Sequence, residues 1–203
     1  MVAEVVLFDV GGVLSGGGPR EREVARILGL GSAAMPDVRR AIWAYRDGYD
    51  LGMPEDEYWS RVAADCGLKL GSPTLERLID EDRSQWAQPF PEVVPLLAAL
   101  RNSRTRTVVL SNASHLLGEY FVSRRWTRGV FERCFFSADT GYAKPNPRAF
   151  EIALEAVGVE PAQVTFFDDR EVNVAAACSL GIDGRVWERP GMADRVAANL
   201  GVS

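Results

Sequence analysis

Histidine and cysteine are scarce in this chain, and their scarcity limits the chemistry it can perform. His115 is the only histidine in 203 residues, and the three cysteines, Cys66, Cys134 and Cys178, are far apart and have no CxxC spacing. This pattern argues against a disulfide framework, a thiolate zinc site and a multi-histidine metal centre. If the chain is an enzyme, carboxylates must do most of its chemistry.

Long apolar runs and basic blocks are also missing. No stretch reaches the roughly 18 apolar residues that a bilayer span needs, and the apolar run at residues 5–14 contains Asp9 and has no basic segment before it. Lysine and arginine total 23 against 28 acidic residues, so the net charge is −5, and no basic cluster could neutralise a run of phosphates. We expect a cytoplasmic protein that binds neither membranes nor nucleic acid.

The remaining composition is that of an ordinary folded protein. The chain is 47% hydrophobic and 25% charged, and its length suits one domain or one domain with an insertion. Short apolar runs, typical of strands buried in a parallel sheet, alternate with patterns of helical period. The predicted strands are residues 2–8, 107–110, 134–136 and 164–167, and the clearest helices are 91–101 and 147–157. This alternation predicts an α/β fold with a Rossmann-like parallel sheet.

Residues 15–85 have a different character. The segment has no β-branched run, and proline marks the expected starts of four helices, at Pro19, Pro36, Pro54 and Pro73. Four helices would form a small bundle inserted after the first strand. We therefore expect a core domain of residues 1–14 and 86–203 and an all-helical domain of residues 15–85, entered through the glycines at 16–18.

Polar side chains follow the predicted strands at their carboxyl ends, where open parallel sheets bind ligands. They are Asp9, Ser111, Asn112, Lys144, Asp168 and Asp169. Three carboxylates in one place repel each other and require a cation, and ligation by oxygen alone favours Mg²⁺. With a lysine and backbone amides, such a site would hold a phosphoryl group. The expected nucleophile is then a carboxylate, and Asp9 is the candidate for forming an aspartyl phosphate.

Four segments carry a family resemblance. FDVGGVL around Asp9, VVLSNAS around Ser111, GYAKPNP around Lys144 and FFDDREVNVAAA around Asp168 resemble, in this order and spacing, the four motifs of the haloacid dehalogenase superfamily. The resemblance covers both ends of the chain and implies that residues 15–85 form a helical cap, which opens for substrate and closes to exclude water. Within the superfamily the chain is most similar to small bacterial sugar-phosphate phosphatases that resemble α-glucose-1-phosphate phosphatase.

The resemblance also implies a role for each site residue. Asp9 is the nucleophile, and Lys144 and the Ser111 hydroxyl act on the phosphoryl group. Asp169 aligns with a direct Mg²⁺ ligand and Asp168 with a nearby or water-mediated one. The remaining implied roles are metal ligation by Asp9 and the Gly11 carbonyl, substrate binding by Asn112, Gly11 and Gly12, and orientation of the acids by Asn173. The implied cofactor is Mg²⁺, and the implied partner is a small phosphorylated metabolite.

The motif around Asp9 departs from the family pattern. The usual DxD motif has a second aspartate, which acts as general acid and base, where this chain has Gly11. Losing a general acid–base typically costs about 10² to 10⁴ in rate. We therefore expect a slower phosphatase, one that uses an activated leaving group, or one that takes an acid from the cap, such as Asp47 or Asp50.

Two other functions stay open at this point. A dehalogenase also lacks the second aspartate of DxD, and LSNAS resembles that branch, but dehalogenases displace halide without a metal and generally lack the acid pair present here at Asp168 and Asp169. A scaffold that binds metal and phosphate with negligible turnover is also compatible with Gly11. A phospho-acceptor receiver domain is excluded, because its acid pair comes first in the chain.

Three features have both a structural and a functional interpretation. His115 is expected in the first turn of the helix after Asn112, where a structural role is common. Trp43, Tyr45, Tyr58 and Trp59 could line a sugar-binding face, but their helical spacing favours the core of the bundle. Arg124, Arg125 and Arg128 suggest either an anion site or, more commonly, a charged surface turn.

Overall fold

Five parallel strands form one sheet in the computed structural model, which describes residues 4–201. The strands are β1 (Val5–Phe8), β2 (Arg106–Ser111), β3 (Arg133–Phe136), β4 (Val164–Asp168) and β5 (Asp183–Val186). Their order across the sheet is β3-β2-β1-β4-β5. The chain builds outward from β1 through β2 and β3 and then crosses to the other side for β4 and β5. The topological switch point therefore lies between β1 and β4.

The predicted α/β fold with a parallel sheet is confirmed, and each of the four predicted strands is present. The prediction for the first strand began at Val2, and residues 2 and 3 lie outside the described residues. The fifth strand, β5, was not predicted. It has the sequence DGRV, lies at the edge of the sheet and alternates between exposed and half-buried residues, so it lacks the apolar run by which the buried strands are recognised.

Helices cover both faces of the sheet and fill the connection between β1 and β2. They are α1 (Glu21–Ile27), α2 (Met35–Asp50), α3 (Glu55–Asp65), α4 (Ser72–Ser84), α5 (Val94–Arg101), α6 (His115–Ser123), α7 (Ser137–Thr140), α8 (Pro147–Val157), α9 (Glu171–Ser179) and α10 (Met192–Leu200). Local sequence sets several of the ends. The Asn146 side chain accepts from Arg148 N at the start of α8, and Gly158, with φ +72°, ends that helix in the left-handed region.

The sheet is buried on both faces because alternate residues of its strands pack against different helices. Val5 and Leu7 of β1 belong to a cluster with α8 and α9, whereas Val6 and Phe8 pack with α5 and α10. Full burial of a side chain of this size contributes about 1.5–3 kcal/mol. The central strand is therefore held from both sides, which fixes the position of the residues that follow it.

The four helices α1–α4, called the helical insert below, have a hydrophobic cluster of their own. Tyr58 and Trp59 are fully buried in it, and the Tyr49 and Tyr58 rings stack with centroids 4.2 Å apart. The expectation that Tyr58 and Trp59 are core residues is met. The division into a core domain of 1–14 and 86–203 and a helical domain of 15–85 stays a prediction, and its outermost residues, 1–3 and 202–203, lie outside the described residues.

The two chain segments that connect the helical insert to the sheet run side by side. The Ser15 hydroxyl lies 2.7 Å from both the Gln85 and Gln88 carbonyls, and the Trp86 indole N–H donates to the Gly16 carbonyl at 2.9 Å. A further bond joins the insert to the core at the end of α2, where the Ser137 hydroxyl donates to the Asp50 carbonyl. Within residues 4–201, no helix combines the length and apolar character that crossing a membrane requires.

Packing of α6 against β3 can be tested at Gly118. A Cβ at this position would lie 2.6 Å from a ring carbon of Phe136, which is itself buried. We expect Gly118→Ala to lower the free energy of unfolding by about 1–3 kcal/mol, because overpacking outweighs the better helix propensity of alanine. Urea denaturation would measure the change.

Gly48 in α2 provides the matched control. A Cβ there would meet only the terminal Cε of Met53, at 2.9 Å, and that flexible end can move away. Gly48→Ala should therefore leave stability unchanged or raise it by up to about 1 kcal/mol. Equal stability of the two variants would contradict the close approach of α6 to Phe136.

Candidate active site

Three carboxylates meet at the carboxyl edge of the sheet, at the switch point between β1 and β4. Asp9 directly follows β1, Asp168 ends β4, and Asp169 comes next in the chain. The register that pairs Phe8 with Phe167 places the following residues of the two strands beside each other. One carboxylate oxygen of each acid lies within 4.8 Å of those of the other two.

The ammonium group of Lys144 lies between two of these acids. Its Nζ is 2.9 Å from Asp9 Oδ1 and 2.6 Å from Asp168 Oδ2, and the residue is only 3% exposed. Burial acts to lower the pKa of Lys144, but the charges of both carboxylates and their hydrogen bonds act more strongly, so the pKa is raised. Lys144 is therefore a fixed positive charge inside the cluster.

Asn112 holds the loop that carries Lys144. Its side-chain Nδ2 donates to the Lys144 carbonyl at 2.8 Å, and its Oδ1 accepts from the Lys144 N–H at 2.8 Å. These two bonds tie the loop before α8 to the end of β2. Asn112 also lines the cleft above the carboxylates. The contact seen in the structure positions Lys144, and substrate binding by Asn112 stays a prediction.

Asp9 is buried, and its ionisation is balanced by opposing neighbours. Its pKa is raised to about 6. Burial is the largest cause and the charge of Asp168 adds to it, whereas the charge of Lys144 and hydrogen bonds from the side chains of Lys144 and Ser111 act to lower the pKa. Ser111 is the last residue of β2 and is itself buried, so the hydroxyl is held beside Asp9 by the sheet.

Asp168 is saturated with hydrogen bonds. Besides Lys144, it accepts from the Arg170 backbone N–H at 2.9 Å and from Asn173 Nδ2, which lies 3.0 Å from both carboxylate oxygens. Asn173 lies in the first turn of α9, which follows β4 directly. Asn173 therefore holds the Asp168 carboxylate, and its role in orienting metal ligands stays a prediction.

Asp169 is the most accessible of the three acids. Burial and the charge of Asp168 raise its pKa. Its carboxylate lies against Gly12, where φ is +77° and a Cβ would stand 2.7 Å from Asp169 Cγ. Because Gly12 has no side chain, the Asp169 carboxylate can occupy this space. The Gly12 N–H already donates to the Ser15 carbonyl at 2.8 Å, so it is not free to donate to a substrate in this structure. Substrate binding by Gly12 stays a prediction.

Gly11 faces the cleft and has space beside it. A Cβ at this position would make ordinary contacts, with Gly17 Cα at 3.4 Å and the Gly16 carbonyl oxygen at 3.6 Å. The missing side chain is therefore not imposed by crowding. The cleft has a volume of about 490 Å³ and is lined by Asp9, Gly11, Lys144 and Asp169 among others.

One face of α2 lines the same cleft and includes Asp47 and Asp50, the two acids that the sequence suggested, whereas the sequence did not suggest Arg39 and Arg46. These residues share one side of the helix, distinct from the side of its buried apolar residues, because they are spaced by three or four: Arg39, Trp43, Arg46, Asp47 and Asp50. The interpretation of Trp43 as a core residue is wrong, because its side chain is 49% exposed in the cleft. The sequence signal for its place in the cleft was a single tryptophan on the polar side of an amphipathic helix.

The two acids of the helical insert that were considered as substitutes for the missing aspartate differ in their surroundings. Asp50 is buried and pairs with Arg46 Nε at 2.9 Å, and Arg46 also contacts Asp82 at 3.2 Å. Burial raises the pKa of Asp50 to about 6 against the lowering effect of Arg46. Asp47 is exposed to the cleft. His115, by contrast, begins α6 on the surface and pairs with Asp139 at 2.6 Å.

Comparison with known proteins places the chain among hydrolases. The family model of haloacid dehalogenase-like hydrolases matches residues 3–181. A phosphatase of Mycobacterium tuberculosis is 28% identical over 200 residues, which cover 94% of this chain and 90% of that protein. A phosphorylated carbohydrates phosphatase of Thermotoga maritima is 24% identical over 186 residues, covering 89% and 82%. Haloacid dehalogenases match about half of the chain.

Solved structures share the fold. A Bacteroides thetaiotaomicron enzyme of the same family, crystallised with magnesium and inorganic phosphate, superimposes with a TM-score of 0.70 at 19% identity, over 92% of this chain and 94% of that one. The match of the family model over most of the chain, together with the site geometry above, identifies the chain as a member of the haloacid dehalogenase-like hydrolases.

Proposed function

We propose that the chain is a Mg²⁺-dependent phosphatase that hydrolyses a small phosphorylated metabolite through an aspartyl phosphate on Asp9. The observation that carries this proposal is the contact of Lys144 with Asp9 and Asp168, with Asp169 within 4.8 Å, at the mouth of a cleft. An anionic nucleophile beside a buried ammonium can approach a phosphate ester, because the lysine offsets the charge of the phosphoryl oxygens.

The donor set fits Mg²⁺. Three carboxylates and one ammonium sum to a charge of −2, and every candidate ligand atom is an oxygen, which suits a hard divalent cation. Asp9, Asp169 and the Gly11 carbonyl would hold the ion directly. Asp168, whose oxygens already accept several hydrogen bonds, would act through water and keep Lys144 in place. When bound, Mg²⁺ would offset the charge of the phosphoryl oxygens and favour the ionised form of Asp9.

The chain's own residues then carry out two displacements. An oxygen of the Asp9 carboxylate attacks phosphorus, the bond from phosphorus to the ester oxygen breaks, and that oxygen leaves with the electron pair and takes up a proton from solvent. Water then attacks the phosphorus of the aspartyl phosphate and gives up a proton to solvent. The bond from phosphorus to Asp9 breaks, its electron pair returns to the carboxylate, and phosphate leaves. Lys144 and Ser111 hold the phosphoryl oxygens during both displacements.

A dehalogenase is the second candidate, and the acid cluster speaks against it. Displacement of halide needs one nucleophilic carboxylate, and further acids beside that carboxylate would disfavour attack on an anionic haloacid. Here Asp168 and Asp169 both stand within 4.8 Å of Asp9. No contact in the carboxylate cluster favours the third candidate, a scaffold that binds metal and phosphate without turnover.

The face of α2 suits a polyhydroxylated leaving group. Trp43 presents an exposed ring in an otherwise polar cleft, and Arg39 and Asp47 flank it with hydrogen-bonding groups. An aromatic ring packs against the C–H face of a sugar while charged groups bind its hydroxyls. We propose that residues 15–85 act as a cap over the core, that they move at the glycines 16–18, and that this face of α2 binds the sugar or polyol.

The first test is Mg²⁺-dependent phosphate release from sugar phosphates and p-nitrophenyl phosphate. We expect release with Mg²⁺, none with excess EDTA, and a loss of kcat by at least about 10³ in Asp9→Asn, which keeps the shape but removes the nucleophile. Asp194→Asn, a change at an exposed acid outside the cleft, serves as control. Metal-independent halide release would point to the dehalogenase, and no release of either product would favour the scaffold.

Metal binding can be tested without catalysis. Mg²⁺ should raise the melting temperature of the wild type, because the ion binds only the folded cluster. Asp169→Asn should be at least as stable as the wild type in EDTA, since it removes a repelling charge, and should lose the Mg²⁺ shift. An unchanged Mg²⁺ shift in this variant, measured by differential scanning fluorimetry, would place the ion elsewhere.

Gly11 offers a gain-of-function test. Gly11→Asp introduces an acid where a side chain has room, and we expect kcat for sugar phosphates to rise about tenfold or more. The rate with p-nitrophenyl phosphate should change much less, because its leaving group needs no proton.

Gly11→Asn is the matched control, since it fills the same space without transferring a proton. If Gly11→Asp and Gly11→Asn change the rate with sugar phosphates equally, the effect is steric and the missing acid is not what limits this enzyme.

A further inference from the structure

A second cavity lies on the core, away from the catalytic cleft. Its volume is about 820 Å³, and it shares no lining residue with the cleft. Part of the lining is apolar and includes Pro91, Val94 and Leu97 at the start of α5 and within it. The other part is three arginines, Arg101, Arg124 and Arg125. We call this cavity the arginine groove.

The charges of these arginines are not compensated. Among residues 4–201, no carboxylate oxygen lies within 4.0 Å of a guanidinium nitrogen of Arg101, Arg124 or Arg125. Elsewhere on the surface arginines pair with acids, as Arg106 does with Glu132 at 2.8 Å. A local charge of +3 in a chain of net charge −5 is a concentrated positive field.

Two of the arginines are held in place by neighbouring groups. The Arg124 guanidinium lies 4.0 Å from the centre of the Tyr120 ring and bonds to the Tyr120 carbonyl, and Arg101 Nη2 donates to the Trp126 carbonyl at 3.3 Å. Ordered guanidinium groups lose less conformational entropy when they bind an anion. The apolar lining lies beside them, and Val94 is 49% exposed.

The lining indicates what the groove can bind. Guanidinium groups recognise carboxylate, phosphate and sulfonate groups through charge-assisted hydrogen bonds, and the exposed aliphatic surface gains from contact with an apolar body. The volume lies in the range of small-molecule sites. We propose that the arginine groove binds a small organic anion with an apolar body, at a site separate from the catalytic one.

A ligand in the groove would touch the segment that leads from the helical insert back to the core. Ala87, Gln88 and Pro89 line the groove, and the Gln88 carbonyl accepts the bond from Ser15 described above. The ligand would therefore contact one of the two connections of the insert without entering the cleft.

The test uses two dyes that differ by one charged group. 1-Anilinonaphthalene-8-sulfonate and the neutral N-phenyl-1-naphthylamine share the aromatic body, and only the first carries a sulfonate. Titrations are followed by fluorescence, with Mg²⁺ and inorganic phosphate present to fill the catalytic cleft. We expect the folded wild type to bind one equivalent of the sulfonate with salt-sensitive affinity, and the neutral dye at least about tenfold more weakly.

Variants assign the binding to the groove. Arg101→Gln/Arg125→Gln should weaken binding of the sulfonate at least about tenfold. Val94→Glu, which places a carboxylate in the groove at an exposed position in the first turn of α5, should do the same without loss of stability. Arg22→Gln is the control, because Arg22 is an exposed arginine of the helical insert outside the groove.

Three results would overturn the proposal. They are equal affinity of the wild type and the double variant for the sulfonate, equal binding of the two dyes, and displacement of the sulfonate by an acidic nonapeptide at lower concentration than by naphthalene-1-sulfonate. The last result would assign the groove to an acidic protein segment. None of these measurements uses catalysis, so they stand apart from the test of phosphatase activity.

Discussion

The ammonium group of Lys144, buried between Asp9 and Asp168, is the contact on which the site depends. Three carboxylates lie within 4.8 Å of one another and repel, most strongly between the buried Asp9 and Asp168, and a single buried cation offsets part of that repulsion. The surrounding structure serves this contact. Asn112 fixes the lysine loop by donating one hydrogen bond to it and accepting another, and Asn173 together with a backbone N–H fixes Asp168.

This arrangement leaves a residual negative charge at the entrance of the cleft, and the three acids differ in how accessible they are. The carboxylate oxygens of Asp168 accept hydrogen bonds from buried groups of the protein, whereas Asp169 lies against Gly12 and faces the cleft. Asp9 stands between the two situations, buried yet at the cleft. A divalent cation would offset the negative charge that Lys144 alone leaves unbalanced.

The helical insert contributes to the cleft through α2, which has one face in the core of the insert and another facing the cleft. One face of α2 packs Val38, Ile42 and Tyr49 into the core of the insert, and the other turns Trp43 and Asp47 toward the carboxylates. Because the same helix is anchored by its own core, its polar face can vary without unfolding the insert.

The sequence alone determined the α/β class, four of the five strands and the six polar residues expected at their carboxyl ends, because strand periodicity and local motifs are carried by neighbouring residues. It did not determine β5, whose half-exposed edge position gives no apolar run, or the place of Trp43, because helical spacing is the same for a core face and a cleft face. The sequence also did not determine the arginine groove, whose lining comes from α5 and from the turn after α6. Only the tertiary structure decided these, since which groups are buried, paired or facing a cavity depends on contacts between distant segments.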